Sequence, residues 1–240
     1  MEFLVLVLVS LIGSSIESHL EKCDIAKCYD LSPVGDLRPI RYTPNKEQLD
    51  LLCPRAVQYA NCIFDEIKNC SGKTLEELET SLDIRDSITA TMLLSAGSYA
   101  LDLCNEKSQL HKDYTENINC YLDFVEDMDK SKCQEDAEMR VKAFFDSNPL
   151  SGEENDRDTV IAGQRCLVKA YRQACVSLQL EEHCGEVARK TYLFIIGRVK
   201  PWLGQECYIK KASILKNRFV NYLGLEEPTK NKYKFAFHTV

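Results

Sequence analysis

The 240-residue sequence lacks the glycine patterns from which nucleotide sites and nucleophile elbows are built. Its ten glycines never stand two apart, so it has no G-x-G turn for a dinucleotide, and neither G-x-x-x-x-G-K-[ST] nor G-x-S-x-G occurs. Histidine is also scarce, and a histidine base needs a partner within hydrogen-bond reach. None of the four histidines has a recognisable catalytic context: His19, His111, His183 and His238. We therefore expect no enzyme active site and no cofactor.

Long hydrophobic runs are absent except for one apolar stretch from Phe3 to Ile12. It is shorter than the roughly twenty residues that a membrane span needs. Small and polar residues follow it, which is the order of a secretory signal peptide, although the basic n-region is missing. A buried N-terminal helix is the alternative interpretation. We predict that residues 1–18 are a signal peptide and that the mature protein is secreted into an extracellular fluid, with no transmembrane segment.

Cysteine, in contrast, is abundant. An even number of cysteines on an oxidising route predicts six disulfides, whose connectivity the spacing does not reveal. His183 beside Cys184, and the Cys23-x4-Cys28 spacing, also suit zinc, but disulfides form first in an oxidising compartment, so we expect no metal. The twelve are Cys23, Cys28, Cys53, Cys62, Cys70, Cys104, Cys120, Cys133, Cys166, Cys175, Cys184 and Cys207.

Two stretches share a spacing of cysteines along a helical pattern. Cys53, Cys62 and Cys70 are separated by eight and seven residues, and Cys166, Cys175 and Cys184 by eight and eight. The rest of each stretch shares only small or aromatic residues and a polar end. The spacing therefore indicates an architectural repeat of two cysteine-bearing helices and identifies no reactive site.

Helical periodicity fills most of the remaining chain. We predict an all-α fold: a disulfide-braced bundle of about six to seven helices, in two loosely repeated halves. Breaks in the pattern divide the chain as follows: a signal peptide at 1–18, an extended cysteine-containing arm at 19–44, helical half 1 at 45–146, an acidic linker at 147–156, helical half 2 at 157–224 and a flexible tail at 225–240.

Within half 1, Thr43 and Pro44 resemble the start of the first cysteine helix, and Gly72 its end. Thr74 and Glu77 have the spacing of a capping box. A helix from about Ile84 to Leu103 is predicted to turn Ile88, Met92, Tyr99 and Leu103 toward the core.

The charge is mildly acidic but unevenly distributed. The formal net charge is −7, which gives no general reason to bind nucleic acid. Residues 113–158 carry a net −9, whereas 198–240 carry a net +6. Solvated helix faces are the simple interpretation. The alternative is a weak anion-binding patch for acidic glycans, lipids or an acidic partner: Arg198, Lys200, Lys210, Lys211, Lys216 and Arg218.

Asn69-Cys70-Ser71 is the only N-x-[ST] sequon in the sequence. It lies near a predicted helix end, where a glycan fits. Early disulfide formation at Cys70 would oppose its modification. We predict a glycoprotein with Asn69 as the acceptor.

The signal peptide, the chain length and the Cys-x8-Cys helices together resemble the insect twenty-seven-kilodalton haemolymph glycoprotein family and similar cysteine-rich helical secreted proteins of invertebrates. The resemblance covers Cys53 to Cys207, whereas Cys23, Cys28 and the C-terminal tail depart from it. It implies an extracellular fluid such as haemolymph, glycosylation and no established catalytic activity, and it carries over no site residues.

Three functions remain open from the sequence. The first is a non-enzymatic binding or structural protein of a body fluid or gland secretion. The second is a carrier of a small hydrophobic ligand, held in an apolar pocket between braced helices. The third is a venom or salivary effector that binds a host protein.

Overall fold

The computed structural model describes residues 20, 23–40, 42–127, 130–148, 157–198, 207 and 212–239. Of these residues, 85% are helical, and none is in a strand. The all-α prediction is therefore confirmed. The predicted signal peptide at 1–18 and the linker residues 149–156 lie outside the described residues.

The chain divides between Val125 and Glu126 into two compact units. The predicted boundary, the linker at 147–156, was wrong by more than twenty residues. Its polar composition marked a connection inside the second unit. The helix before it, Lys130–Ser147, packs on the helix after it, and the disulfide Cys133–Cys175 joins the two.

Unit 1 consists of a short N-terminal segment and four further helices. The segment contains a 3₁₀ helix, Ile25–Leu31, and α1, Val34–Leu37. The remaining helices are α2 (Lys46–Ser71), α3 (Leu75–Glu79), α4 (Ile84–Leu103) and α5 (Gln109–Asp127), whose last two residues lie past the division.

The N-terminal segment was predicted to be an extended arm, but it contains a 3₁₀ helix and α1. Pro33 occupies the N-cap position of α1, where its missing N–H costs no hydrogen bond. The segment packs on α2, and Arg55 of α2 donates to the carbonyl of Ser32 at 3.1 Å and pairs with the Asp36 carboxylate. Two disulfides to α2 complete its attachment.

The start of α2 corrects a second prediction. The N-cap is Asn45 rather than Thr43: its side chain accepts from the N–H of Gln48 at 2.9 Å, and the Gln48 side chain accepts from the N–H of Asn45. Pro54 lies within the continuous helix. Gly72 ends it with φ of 72°, a left-handed conformation that favours glycine.

The core of unit 1 lies between the N-terminal segment, α2, α3 and α4. Buried apolar side chains from all four elements meet there, among them Cys28, Tyr59, Ile67, Leu78 and Leu93. In α4, Ala90 is fully buried, and a small side chain lets neighbouring helices approach closely. Elsewhere in the unit, the Tyr114 hydroxyl of α5 donates to the carbonyl of Pro44 at 3.0 Å.

Unit 2 is built on α7, a long helical element from Arg157 to Arg198 with a non-helical residue at Gly185 (φ 86°, ψ 175°). The other helices are α6 (Lys130–Ser147), α8 (Ala212–Tyr222) and α9 (Glu227–Thr239). Both α6 and α9 pack against α7, and α8 contacts all three.

A cluster of aromatic rings joins the four helices of unit 2. Phe219 of α8 has no exposed surface. Its ring centroid lies 5.2 Å from Phe144 of α6, 6.1 Å from Tyr171 of α7 and 5.9 Å from Phe237 of α9. The Tyr171 hydroxyl donates to the Asp136 carboxylate of α6, so the buried phenol has a partner.

The tail predicted as flexible at 225–240 is instead mostly α9. Its buried residues are Tyr233, Ala236 and Phe237, which have the i, i+3, i+4 spacing of one helix face. Three lysines in the same stretch, Lys230, Lys232 and Lys234, hide this short pattern in the sequence. Lys232 reaches Glu181 of α7 with a nitrogen–oxygen distance of 2.8 Å, so the lysines also contribute to the attachment.

All twelve cysteines are in disulfides, which confirms the predicted six. Numbered one to six in chain order, the first six cysteines pair one with five, two with four and three with six: Cys23–Cys70, Cys28–Cys62 and Cys53–Cys104. When the last six are numbered in the same way, Cys133–Cys175 is again two with four, and Cys166–Cys207 three with six. Cys120 and Cys184 hold the first and fifth places and are also disulfide-bonded. The repeat in spacing is thus a repeat in connectivity.

The Cys-x8-Cys spacing has a geometric meaning. Nine residues of α-helix make about two and a half turns, which places the two sulfurs about 180° apart. In α2, Cys62 therefore faces the N-terminal segment while Cys53 faces the end of α4. In α7, Cys175 is joined to α6 and Cys166 to Cys207. Each cysteine helix is tied to its own unit on two opposite sides.

Candidate functional site

Unit 1 contains an apolar pocket between the N-terminal segment, α2 and α4. The disulfide Cys28–Cys62 and the contacts of Arg55 hold the N-terminal segment against α2 near this pocket. The lining residues are Pro33, Ala56, Tyr59, Ala60, Ile63, Phe64, Leu93, Ala96, Gly97 and Ala100.

The pocket has no ionisable lining residue except Tyr59. Burial raises the pKa of this phenol, and neighbouring Tyr29 raises it further, while a hydrogen bond with Ser32 acts in the opposite direction. Tyr59 is therefore neutral at physiological pH. No lining residue offers a general base or a metal ligand. The pocket's chemistry is limited to apolar contact and one hydroxyl group.

The size of the pocket restricts what it can hold. Its cavity volume is about 30 Å³, whereas sites for drug-sized ligands measure about 300–1,000 Å³. It accommodates one or two water-sized groups. A lipid would fit only if a lining side chain moved.

Phe64 is the lining side chain that packs against a glycine of α4. Its ring lies directly against Gly97 of α4: a Cβ atom at Gly97 would stand 2.2 Å from the Phe64 Cζ. The packing of Phe64 therefore requires glycine at position 97. The backbone conformation does not, since Gly97 lies in ordinary helix.

The effect of replacing Gly97 with alanine on the free energy of unfolding is expected to change sign with the side chain at position 64. Helix propensity favours alanine by about 1 kcal/mol, but overpacking against Phe64 costs about 1–3 kcal/mol. We expect G97A to lower the free energy of unfolding by about 1 kcal/mol in the natural sequence, and to raise it when Phe64 is leucine. Urea denaturation of the four variants measures both effects. Equal stabilisation by G97A in both backgrounds would contradict the contact.

The structure describes three of the six residues of the predicted anion-binding patch. Lys200, Lys210 and Lys211 lie outside the described residues. Lys216 is 6% exposed, on the face of α8 that carries Leu215 and Phe219 into the core; assigning it to a surface patch was wrong. Arg218 is exposed, and the Arg198 guanidinium lies 5.0 Å from the centroid of the Phe194 ring. Binding of anions by the others stays a prediction.

The histidines take ordinary positions where the structure describes them. His111 Nδ1 lies 2.8 Å from the carbonyl oxygen of Leu103, which links the start of α5 to the end of α4. His183 and His238 are exposed, and His19 lies outside the described residues. Cys23, Cys28 and Cys184 are disulfide-bonded, so their sulfurs are not the thiolates that zinc requires.

Asn69 is exposed in the last turn of α2, as predicted for a glycan acceptor. Its neighbour Cys70 is bonded to Cys23, and the Ser71 hydroxyl donates to the carbonyl of Ile67 at 2.7 Å. Modification would therefore have to precede folding of this turn. Glycosylation at Asn69 stays a prediction.

The sequence did not identify the pocket. Ala56 and Ala60 in α2, and Ala96 and Ala100 in α4, each stand four residues apart. Such pairs of small residues let helices approach closely, and this was the available signal. The partner helix and the position of Phe64 depend on the tertiary structure.

No helix within the described ranges is both long enough and apolar enough for a membrane span. Comparison of the chain with known protein families, with curated proteins and with solved structures gives no match.

Proposed function

We propose that the protein is secreted, has no enzymatic activity and acts by binding in an extracellular fluid or a gland secretion. The observation that carries this proposal is the disulfide bonding of all twelve cysteines. Disulfides persist in oxidising compartments and are rare in the cytosol. The apolar stretch from Phe3 to Ile12 supplies the matching export signal.

The assignment of a binding role rests on the chemistry of the pocket and of the histidines. The lining of the pocket supplies a phenol and hydrocarbon, and the ring nitrogen of His111 contacts a backbone carbonyl. These groups stabilise the fold and support no proton transfer. The resemblance to haemolymph glycoproteins belongs to the same proposal.

A carrier role is the second candidate, favoured by the apolar lining of the pocket. Its small volume restricts the ligand to a small apolar group unless Phe64 moves. A venom or salivary effector would share the compartment and differ in its partner, a host protein. Native mass spectrometry of the secreted protein distinguishes the carrier, because a bound guest adds a mass that organic extraction removes.

Expression of the full chain in insect cells tests the proposal. We expect the protein in the medium, without residues 1–18, two hydrogen atoms lighter per disulfide and unreactive toward an alkylating reagent before reduction. The matched control is the chain that begins at Met and continues from His19, which should stay in the cells with reactive thiols. Full retention of the natural chain in a reduced form would overturn the proposal, as would equal secretion of the control.

A further inference from the structure

Three aliphatic side chains are exposed together at the start of α4. Leu82, just before the helix, is fully exposed, Ile84 is 72% exposed and Ile88 is 41% exposed. Ile84 and Ile88 stand four residues apart, so they share one face of the helix. Single exposed apolar residues are common, but a group of them marks an interaction site. The sequence predicted Ile88 in the core, and this was wrong.

The turn that carries Leu82 is held by its own hydrogen bonds. The N–H of Asp83 donates to the Ser81 hydroxyl at 3.2 Å, and the Asp83 carboxylate accepts from the N–H of Arg85 at 2.9 Å. The Ser87 hydroxyl donates to the carbonyl of Glu79 at 2.6 Å, which joins α4 to the end of α3. Leu82 is therefore presented on an ordered turn, and a partner does not have to order it.

Acidic side chains lie in the same stretch of chain as this apolar group, and the hydrogen bond from Ser87 to Glu79 holds the end of α3 against α4. Glu76, Glu77 and Glu79 are exposed on α3, and Asp83 is half-buried in the turn. The opposing charge in the same stretch is Arg85, 4.0 Å from the Asp83 carboxylate. The exposed and half-buried side chains from Glu76 to Ile88 thus carry four acids and one base.

We propose that Leu82, Ile84, Ile88 and their acidic border form a docking surface for a cationic amphipathic helix of a partner protein. The apolar face of such a helix covers the three aliphatic side chains, and its lysines or arginines meet the glutamates. The negative charge of the acidic border disfavours two other occupants of this surface. An anionic membrane would be repelled, and a second copy in a symmetric contact would bring acidic borders together.

The docking surface shares no residue with the lining of the pocket. The inference therefore goes beyond the proposed function and does not depend on the compartment. Failure of the binding test on the purified, disulfide-bonded protein would leave the secretion test unaffected.

Fluorescence anisotropy with a labelled synthetic helix of leucine and lysine tests the proposal. We expect Leu82→Asp to weaken binding at least about tenfold, since the contact of a leucine is lost and an acid is buried. Glu79→Lys should weaken binding and reduce its dependence on salt. The matched control is Leu51→Asp, at a leucine of α2 that is 80% exposed, and it should leave the affinity unchanged. Both leucines are exposed, so circular dichroism should show every variant folded.

Three results would overturn the proposal. The first is an equal loss of affinity in Leu82→Asp and Leu51→Asp, which would show non-specific attraction. The second is binding of the natural protein to vesicles of anionic lipid that Leu82→Asp abolishes. The third is self-association in sedimentation experiments that Leu82→Asp abolishes. A peptide with glutamate in place of lysine should not bind.

Discussion

Replacing Phe219 with alanine is expected to destabilise unit 2 by about 3–5 kcal/mol, the usual cost of removing a buried phenylalanine. Phe219 has no exposed surface and contacts rings from α6, α7 and α9. The substitution would therefore open a cavity where four helices meet. It would also remove the ring contacts with Phe144, Tyr171 and Phe237. Urea denaturation followed by near-ultraviolet circular dichroism measures the loss.

Phe235 provides the matched control for this experiment. It lies on α9 of the same unit, is 58% exposed and has the Arg189 guanidinium 6.0 Å from its ring centroid. Its replacement with alanine should cost less than about 1 kcal/mol. A similar loss for both variants would mean that α9 is not docked through the ring cluster.

Removal of the Cys53–Cys104 disulfide is expected to destabilise unit 1 by about 4 kcal/mol in the chain-entropy description. The bridge spans 51 residues of sequence, and its loss frees the unfolded chain from a large loop. Cys53→Ser with Cys104→Ser removes the bridge without leaving a free thiol. Chemical denaturation gives the stability, and hydrogen exchange should show the largest change in the last turn of α4.

Leu51→Ser on the same helix is the control for the disulfide variant. Leu51 is 80% exposed, so its replacement should change stability by less than about 0.5 kcal/mol. A loss below about 1 kcal/mol for the double cysteine variant would contradict the expected effect. It would mean that residual structure already constrains the unfolded chain without the bridge.

Local signals predicted several elements closely. The helix Ile84–Leu103 has the bounds that periodicity indicated. The capping box of Thr74 and Glu77 is present: the N–H of Thr74 donates to the Glu77 carboxylate at 2.7 Å. Gly72 ends α2 as expected. Each of these features depends on residues within about one turn of the chain, so the sequence contains the whole interaction.

Predictions failed where a residue's environment comes from distant parts of the chain. Ile88 continues the apolar pattern of α4, but α3 and α2 cover a different face of that helix. Lys216 is buried although lysine is usually exposed. The residues of α9 have only a short apolar pattern, but they form a helix that packs on α7.

The sequence by itself determined the helical class, the positions of most helices and the presence of six disulfides, because periodicity, capping and cysteine number are local or compositional properties. Only the tertiary structure decided the pairing of the cysteines, the division between Val125 and Glu126, the pocket at Phe64 and the exposure of Leu82. These depend on which helix faces meet. A helix that is apolar on one side has several partners that would bury it equally well, and the choice among them is a property of the whole packed chain.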